Sequence, residues 1–376
     1  MCEPPWKVHV PSGFSVYADD AQRATKHMLP RVFLKPAYRL GWLTGRFAGG
    51  SVGFDALNTA AKALKILACI TCYNEVEIVG AAIEAVLRQT APVKQVLVVD
   101  NASTDGIGEL SFPPKITVVH NRVDLGSSGG FATGIEFARA NGYDWVWLID
   151  ADTRPGPKVL ESLIELLRAG EPEWDREVGV VSPSHSLPNS DRLDRGRLLT
   201  PGGPRHARIG PDQAINCDAV MWSGALINVA VVATAGLPRV GQRGCWEDLS
   251  MDYGDMEYTY RIRQVGYKVL SHRDCVIEHR VGDPLRRRIL GFEIHTTNHS
   301  AFRRYLYFRN LLFFWLWLYP KRNWPVLIFW FGCRLVAILS GIILVERQRR
   351  VKIHACFLGV RDGLRGRLDR TLTIST

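Results

Sequence analysis

The chain has 376 residues, 47% of them hydrophobic and 22% charged, which is material for one large or two medium domains and excludes disorder as the dominant state. Its formal charge of +10 is uneven: from Arg280 onward there are 18 Lys and Arg against 5 Asp and Glu, and before it 29 against 32. The C-terminal charges interleave with Trp, Leu and Ile runs, which argues for an anionic membrane surface as partner and against nucleic acid.

Residues 1–64 mix Pro, Gly and aromatics without sustained periodicity and read as an N-terminal extension of unreadable role. The N-terminus lacks the continuous apolar stretch of a signal peptide, so the bulk of the chain is expected in the cytoplasm. From Lys65 the texture changes. KILACITCYN is an apolar strand, EVEIVGAAIEAVLRQT has helical spacing, and QVLVVDNAS is a second apolar strand. A third strand (ITVVHN), a Gly-rich turn (LGSSGG), a helix (FATGIEFARANG) and a fourth strand (DWVWLIDAD) follow. Fully apolar strands alternating with helices predict an α/β fold, a mainly parallel sheet with helices on both faces.

After the helix VLESLIELLRAG come VGVVSP and AVMWSGALINVAVV, strand-like stretches around a Pro- and Gly-rich insert from Ser184 to Pro211 that reads as a surface loop. A helix from about Asp255 to Val265 and a strand, KVLSHRDCVIEH, close the globular part. Eight cysteines are scattered along the chain, and only Cys69 and Cys72 are close enough to suggest a metal or redox pair. Their place in and just after an apolar run predicts ordinary buried thiols instead, in a reducing compartment.

Beyond His299 two apolar runs are separated by a break at 320–323. The second, Trp324 to Val345, would be roughly 33 Å long as a helix, enough to span a bilayer. Arg334 near its middle penalises a span by about 2.5 to 3.5 kcal/mol, and the basic segment that follows opposes translocation. An interfacial or re-entrant anchor is therefore expected, with Leu311 to Tyr319 lying in the interface and Arg303, Arg304 and Arg309 turned to headgroups.

In such sheets ligands bind beyond the carboxyl ends of the strands, where this chain concentrates Thr71, Asn74, Glu75, Asp100, Asn101, Asp105, Asp150 and Asp152. Asp150 and Asp152, one residue apart, can reach one divalent cation from a turn, and hard oxygen donors suit Mg2+ or Mn2+. Asp255 is either a helix cap or a general base. His279, after an apolar strand, is either structural or a further ligand to the same cation. Gly126, Gly129 and Gly130 do not form a dinucleotide-binding fingerprint, and a tight turn with close helix packing explains them as well as a phosphate or sugar contact does.

The ordered set TCYNE, DNASTDG, LGSSGGFATGIEFA, DWVWLIDADTRP, WSGALIN, GDMEYTYRIRQVGYKV and HRVG followed by FRRYLYFRN resembles the family-2 glycosyltransferases, and within them the bacterial rhamnosyltransferase and galactofuranosyltransferase branch. The resemblance covers roughly residues 65–315. It implies a GT-A catalytic domain at 65–300, followed by a basic, aromatic, membrane-associated region at 301–376. The implied activity is inverting transfer of a sugar, rhamnose or galactofuranose first, from a dTDP- or UDP-sugar to a hydroxyl of a polyprenyl-linked or cell-surface glycan acceptor, at the cytoplasmic face of the membrane. By motif, Thr71, Asn74 and Glu75 border the nucleobase pocket, Asp100 binds the base, and Asp105 lies beside the nucleotide. Gly129 and Gly130 fall in the donor-binding turn. Asp150 and Asp152 match the metal-binding carboxylates, Asp150 also facing the donor, while His279 matches the histidine completing the metal site and Asp255 the catalytic base. The branch often has three consecutive aspartates where this chain has Asp150, Ala151 and Asp152, which spares the metal and alters donor-sugar contacts. Asp124 stands where an Asn is usual. Two other readings compete: a protein that binds nucleotide-sugar or glycolipid without turnover, and a nucleotidyltransferase, for which the Gly- and Lys/Arg-rich phosphate loop is missing. The oligomeric state is not legible.

Overall fold

The computed structural model describes residues 6–8, 64–169, 177–186, 193–208, 212–239, 249, 252–278, 285–289, 291–319 and 323–368. Apart from Trp6–Val8 and Leu64, the N-terminal extension lies outside them, as do His279 and the rest of its HRVG motif.

In chain order the elements are β1 (Trp6–Val8), β2 (Ile66–Cys72), α1 (Val76–Leu87), β3 (Gln95–Asp100), β4 (Ile116–Asn121), α2 (Gly126–Ala140), β5 (Trp145–Asp150) and α3 (Val159–Ala169). There follow β6 (Val178–Ser186), β7 (Leu193–Asp194), β8 (Arg197–Thr200), β9 (Gly203–His206), β10 (Ala214–Asn216), β11 (Leu226–Asn228), α4 (Val232–Ala235), α5 (Gly254–Gln264) and β12 (Lys268–Glu278). The C-terminal part holds the hairpin β13 (Leu285–Ile289) and β14 (Phe292–Thr296), then α6 (Ala301–Phe313), α7 (Trp324–Leu344) and α8 (Arg349–Leu364).

The main sheet runs β1-β4-β3-β2-β5-β11-β6-β12-β10, with β7 pairing to β6. Strands β4, β3, β2 and β5 are mutually parallel, β6 and β12 are parallel, and the short β11 is antiparallel to both β5 and β6. The α/β expectation with a mainly parallel sheet therefore holds. Every residue of β2 is buried, and its side chains alternate between two cores. Ile66, Ala68 and Ile70 pack with Val79, Ile83 and Val86 of α1 and Leu160 and Leu163 of α3. Leu67 and Cys69 pack with Phe131 and Ile135 of α2 and Tyr258 and Ile262 of α5. Each such aliphatic side chain contributes about 1.5 to 3 kcal/mol by leaving water. Cys69 and Cys72 are buried free thiols, as expected.

The structure corrects three local expectations. The Gly-rich LGSSGG segment is not a turn before a helix, because α2 already begins at Gly126. The described residues of the insert 184–211 are not an irregular surface loop: β6 runs to Ser186, β7 extends the main sheet, and β8 and β9 form a hairpin. The run Leu311 to Tyr319 is not laid open on the surface as expected, although Trp317 is exposed. Leu311, Phe314, Trp315 and Tyr319 are buried against Leu199, Tyr260 and Leu327, and Arg304 and Arg309 are buried as well. Arg304 pairs with Glu346 at 2.6 Å, and Arg309 donates to Asn310 Oδ1 and to the Leu368 carbonyl. The reason is tertiary. Helix α8 packs on α6 so closely that a Cβ on Gly359 would sit 2.4 Å from the Tyr305 carbonyl oxygen, leaving Arg304 and Arg309 between helices rather than facing outward.

Helix α7 covers residues 324–344, as its apolar run predicts, and among the described residues it alone is long and apolar enough to cross a membrane. Both of its ends are fastened. Asn323 N donates to the Pro201 carbonyl at 2.7 Å, and Glu346, just beyond the far end, binds Arg304 and, at 2.7 Å, Lys352. Between these points Ile328, Phe329 and Val336 are exposed.

Candidate active site

The strand order reverses between β2 and β5. Strands β3 and β4 extend the sheet outward from β2, and the chain then returns to place β5 on the other side of β2, with Thr71 in register with Asp150. At such a switch point the loops leaving neighbouring strands separate to opposite faces and open a crevice. Here a cleft of about 810 Å³ lies beyond the strand ends, lined on this side by Thr71, Tyr73, Glu75, Asp124, Asp150 and Asp152.

The turn after β5 is compact: Thr153 N donates to the Asp150 carbonyl at 2.9 Å, and the Thr153 hydroxyl lies 2.8 Å from that of Ser223. It leaves Asp150 half-buried, Asp152 exposed and Ala151 in the core. Glu75 faces the same acidic patch. Burial first, and the charges of Asp152 and Asp150 after it, push its carboxyl up to about 7, against the lowering effect of the Tyr73 N–H and Arg154. Burial likewise raises the Asp124 carboxyl, although its Oδ1 accepts from Gly126 N at 2.8 Å.

Asn74, Asp100 and Asp105 hold the loops that frame this wall together. Asn74 Oδ1 accepts from Thr104 N at 2.8 Å, and Asp105 Oδ2 accepts from Val76 N at 2.7 Å, capping α1 from another loop. Asp100, buried, accepts from Ser103 N at 2.9 Å and lies 2.9 Å from His120 Nδ1. None of these three lines the cleft. Gly129 and Gly130 lie within α2, buried, and a Cβ on Gly130 would stand 2.8 Å from Thr71 Cγ2 and 2.9 Å from Asn101 Nδ2. Gly130 thus lets α2 pack closely against the end of β2.

Asp255 sits on a separate wall, in the first turn of α5. It is not the helix cap. That position belongs to Tyr253, and Asp255 Oδ1 accepts from Met256 N at 2.7 Å. Burial pushes its carboxyl up to about 7, with Asp252 and Asp194 adding to the rise and the Met256 N–H and Arg197 opposing it. A carboxylate poised near neutrality can hold and release a proton at working pH, the property a general base needs.

A third wall was not anticipated. Asp194, Arg197, Pro204 and His206 enter from β7, β8 and β9, and Arg303, Tyr307, Trp330 and Arg334 from α6 and α7. The β7–β9 residues had no local signal, because Pro and Gly in that stretch read as loop. Arg334 did carry one, a charge inside an apolar run. The structure thus brings Thr71, Glu75, Asp150, Asp152 and Asp255 to one cleft. His279 lies outside the described residues, among which no group of three or more His, Cys, Asp or Glu is placed to hold a metal ion.

Comparison with known proteins places the chain in a family. Residues 68–190 match the model for glycosyl transferase family 2. The chain is 27% identical over 259 residues, 65% of its own length and 81% of the relative's, to galactofuranosyltransferase GlfT1 of Mycolicibacterium smegmatis. It is 32% identical over 200 residues, 48% of its own length and 80% of the relative's, to undecaprenyl-phosphate mannosyltransferase of Micrococcus luteus. Among solved structures, the mannosyltransferase PcManGT from Pyrobaculum calidifontis, in complex with GDP-Man and Mn2+, aligns at 16% identity and a TM-score of 0.44, covering 80% of this chain and 75% of that one. With a relative above 30% identity matched over four-fifths of its length, and the family model lying across the strands that carry Thr71 and Asp150, the chain belongs to glycosyl transferase family 2 and is a glycosyltransferase.

Proposed function

We propose that the protein is an inverting hexosyltransferase that uses a UDP- or dTDP-sugar, galactofuranose or rhamnose first, and transfers the sugar to a hydroxyl of a polyprenyl-linked acceptor. The observation that carries the reading is the meeting of the Asp150–Asp152 turn and Asp255 in one cleft, from walls that are far apart in sequence.

A divalent cation fits the Asp150 wall on the chemistry of its donors. Both carboxylates offer hard oxygens, and Glu75 beside them feels their combined negative charge, which a cation would relieve. Asp150 and Asp152 would hold Mg2+ or Mn2+, with His279 as a further donor. When bound, the ion supplies charge neutralisation for the departing diphosphate. Thr71 and Glu75 position the nucleotide portion beside them.

The chain's own part in the chemical step falls to Asp255. Its carboxylate takes the proton from the acceptor hydroxyl as that oxygen bonds to the anomeric carbon, while the bond from the anomeric carbon to the diphosphate oxygen breaks on the opposite face. One displacement inverts the centre, and the nucleoside diphosphate leaves. Proton removal of this kind is typically worth about 10² to 10⁴ in rate.

The acceptor class is supported by α7. With both ends fastened to the catalytic unit and an apolar flank exposed between them, this helix suits lying in one leaflet better than crossing both. The basic residues after it then stay on the side of the active site, the cytoplasmic face. The test is incubation of the full chain with UDP-galactofuranose, dTDP-rhamnose and GDP-mannose, with and without Mn2+, reading nucleoside diphosphate release and the anomeric configuration of the product. Retention of configuration would overturn the single displacement, and release only from GDP-mannose would overturn the donor.

A further inference from the structure

Arg334 stands in the middle of a helix whose composition is otherwise suited to lipid. Arg334 is itself exposed, as are the apolar residues Ile328, Phe329 and Val336 of the same helix, but its guanidinium is held by cleft residues. Its Nε donates to the Tyr307 hydroxyl, and its guanidinium carbon lies 5.4 Å from the centre of the Tyr307 ring and 5.9 Å from that of Trp330. All three residues line the catalytic cleft. Tyr307 in turn stands edge-on to Tyr253, 6.1 Å between ring centres, and Tyr253 directly precedes the helix that carries Asp255. Arg334 is therefore on the Asp255 side of the cleft, at the seam between its polar interior and the apolar helix.

Its electrostatic situation is unlike that of its neighbours. The other two arginines of the cleft each have a carboxylate: Arg197 pairs with Asp194, and Arg303 lies 3.6 Å from Asp252. Behind the cleft, Arg304 and Lys352 share Glu346. Among the described residues no carboxylate lies within ion-pair distance of Arg334, which is held by aromatic faces and one hydroxyl. A guanidinium fixed by aromatic rings keeps its fork of donors oriented for an incoming phosphate.

We propose that Arg334 binds the phosphate of an isoprenoid-phosphate-linked acceptor, the isoprenoid lying along the apolar flank of α7 and the end to be glycosylated reaching the Asp255 wall. The proposal rests on the reading of a lipid-linked acceptor given above. It also accounts for a charge in an apolar helix, since in a leaflet the acceptor's phosphate supplies the missing counter-charge.

The test measures binding, so that it does not depend on turnover. The full chain in neutral detergent micelles is titrated with farnesyl phosphate, with farnesol and with UDP, for the wild type, Arg334→Gln and Arg334→Lys, the fold of each variant being checked by its melting curve. The wild type is expected to bind farnesyl phosphate at least 10-fold more tightly than farnesol. Arg334→Gln should lose that preference, Arg334→Lys should keep part of it, and the affinity for UDP should stay unchanged in all three. An undiminished preference in Arg334→Gln, or no preference in the wild type, overturns the proposal. A tenfold loss of UDP affinity in Arg334→Gln also overturns it, by assigning Arg334 to the donor. A wild type that shows the preference but transfers no sugar would leave this inference standing and defeat the reading of function.

Discussion

The side-chain nitrogen of Asn310, in α6, lies 2.9 Å from the carbonyl oxygen of Asp252, in the corner that leads into α5. Asp252 and Tyr253 both adopt left-handed backbone conformations, with φ of 56° and 69°. Such a conformation in a residue with a side chain costs about 1 to 3 kcal/mol and persists only where its surroundings impose it. Here α6 imposes it: Asn310 holds the Asp252 carbonyl, Arg303 faces the Asp252 carboxylate, and Tyr253 packs on Tyr307 and, at 5.8 Å, Phe314. The C-terminal helices thereby set where Asp255 begins its helix. Replacing Asn310 by Ala leaves that carbonyl without its donor and should cost about 1 to 3 kcal/mol of stability. Turnover should fall by about tenfold with nucleoside diphosphate affinity unchanged, the mark of lost transition-state positioning. Unchanged turnover would mean that the corner holds without α6.

Asp255→Asn removes the proton acceptor and keeps the shape. Turnover should drop by about 10² to 10⁴ while UDP still binds. Because burial raises the Asp255 carboxyl to about 7, wild-type kcat/KM should climb with pH through about 7, and the residual activity of the variant should lack that limb. The sign for stability is the reverse. A carboxyl whose folded pKa lies above its unfolded value of about 3.9 favours the fold while protonated, and that contribution is lost as pH rises through about 7. Melting curves should therefore show Asp255→Asn more stable than wild type at pH 8, with the gain shrinking toward pH 5.

Asp152 is exposed at the end of a strand, so Asp152→Ala should leave the melting temperature nearly unchanged. It should abolish sugar transfer and the part of UDP affinity that depends on Mn2+, which calorimetric titration with and without EDTA resolves. Metal-dependent binding that survives in Asp152→Ala would move the cation elsewhere in the cleft.

The packing of α2 on the sheet has its own test. A Cβ at Gly134 would lie 2.1 Å from Cys69 Sγ and 3.0 Å from Cys69 Cβ, so Gly134→Ala should destabilise by about 1 to 3 kcal/mol. Cys69→Ala takes away the sulfur, and the double variant should be less destabilised than the sum of the two single ones, as urea unfolding can measure. Simple additivity would show that α2 shifts away instead of clashing.

By itself the sequence determined the α/β class, the strands from Ile66 to Asp150 and the carboxylates beyond their ends, because these depend on short-range pattern: continuous apolar runs bury both faces of a strand, and polar residues gather where such runs end. It also marked Asp255 and the odd charge at Arg334. Only the tertiary structure decided that β7, β8 and β9 supply a cleft wall, since those strands exist through pairing and packing that their Pro- and Gly-rich sequence does not announce. In the same way the aromatic and Arg-rich segment 301–319 has the composition of a lipid-facing stretch, yet Trp315 and Arg309 are buried. Trp315 is covered by Tyr319 and by Trp330 of α7, and Arg309 by α8, some fifty residues further along the chain, whose glycines allow the helices to approach and whose packing closes over charges that local sequence would leave facing outward.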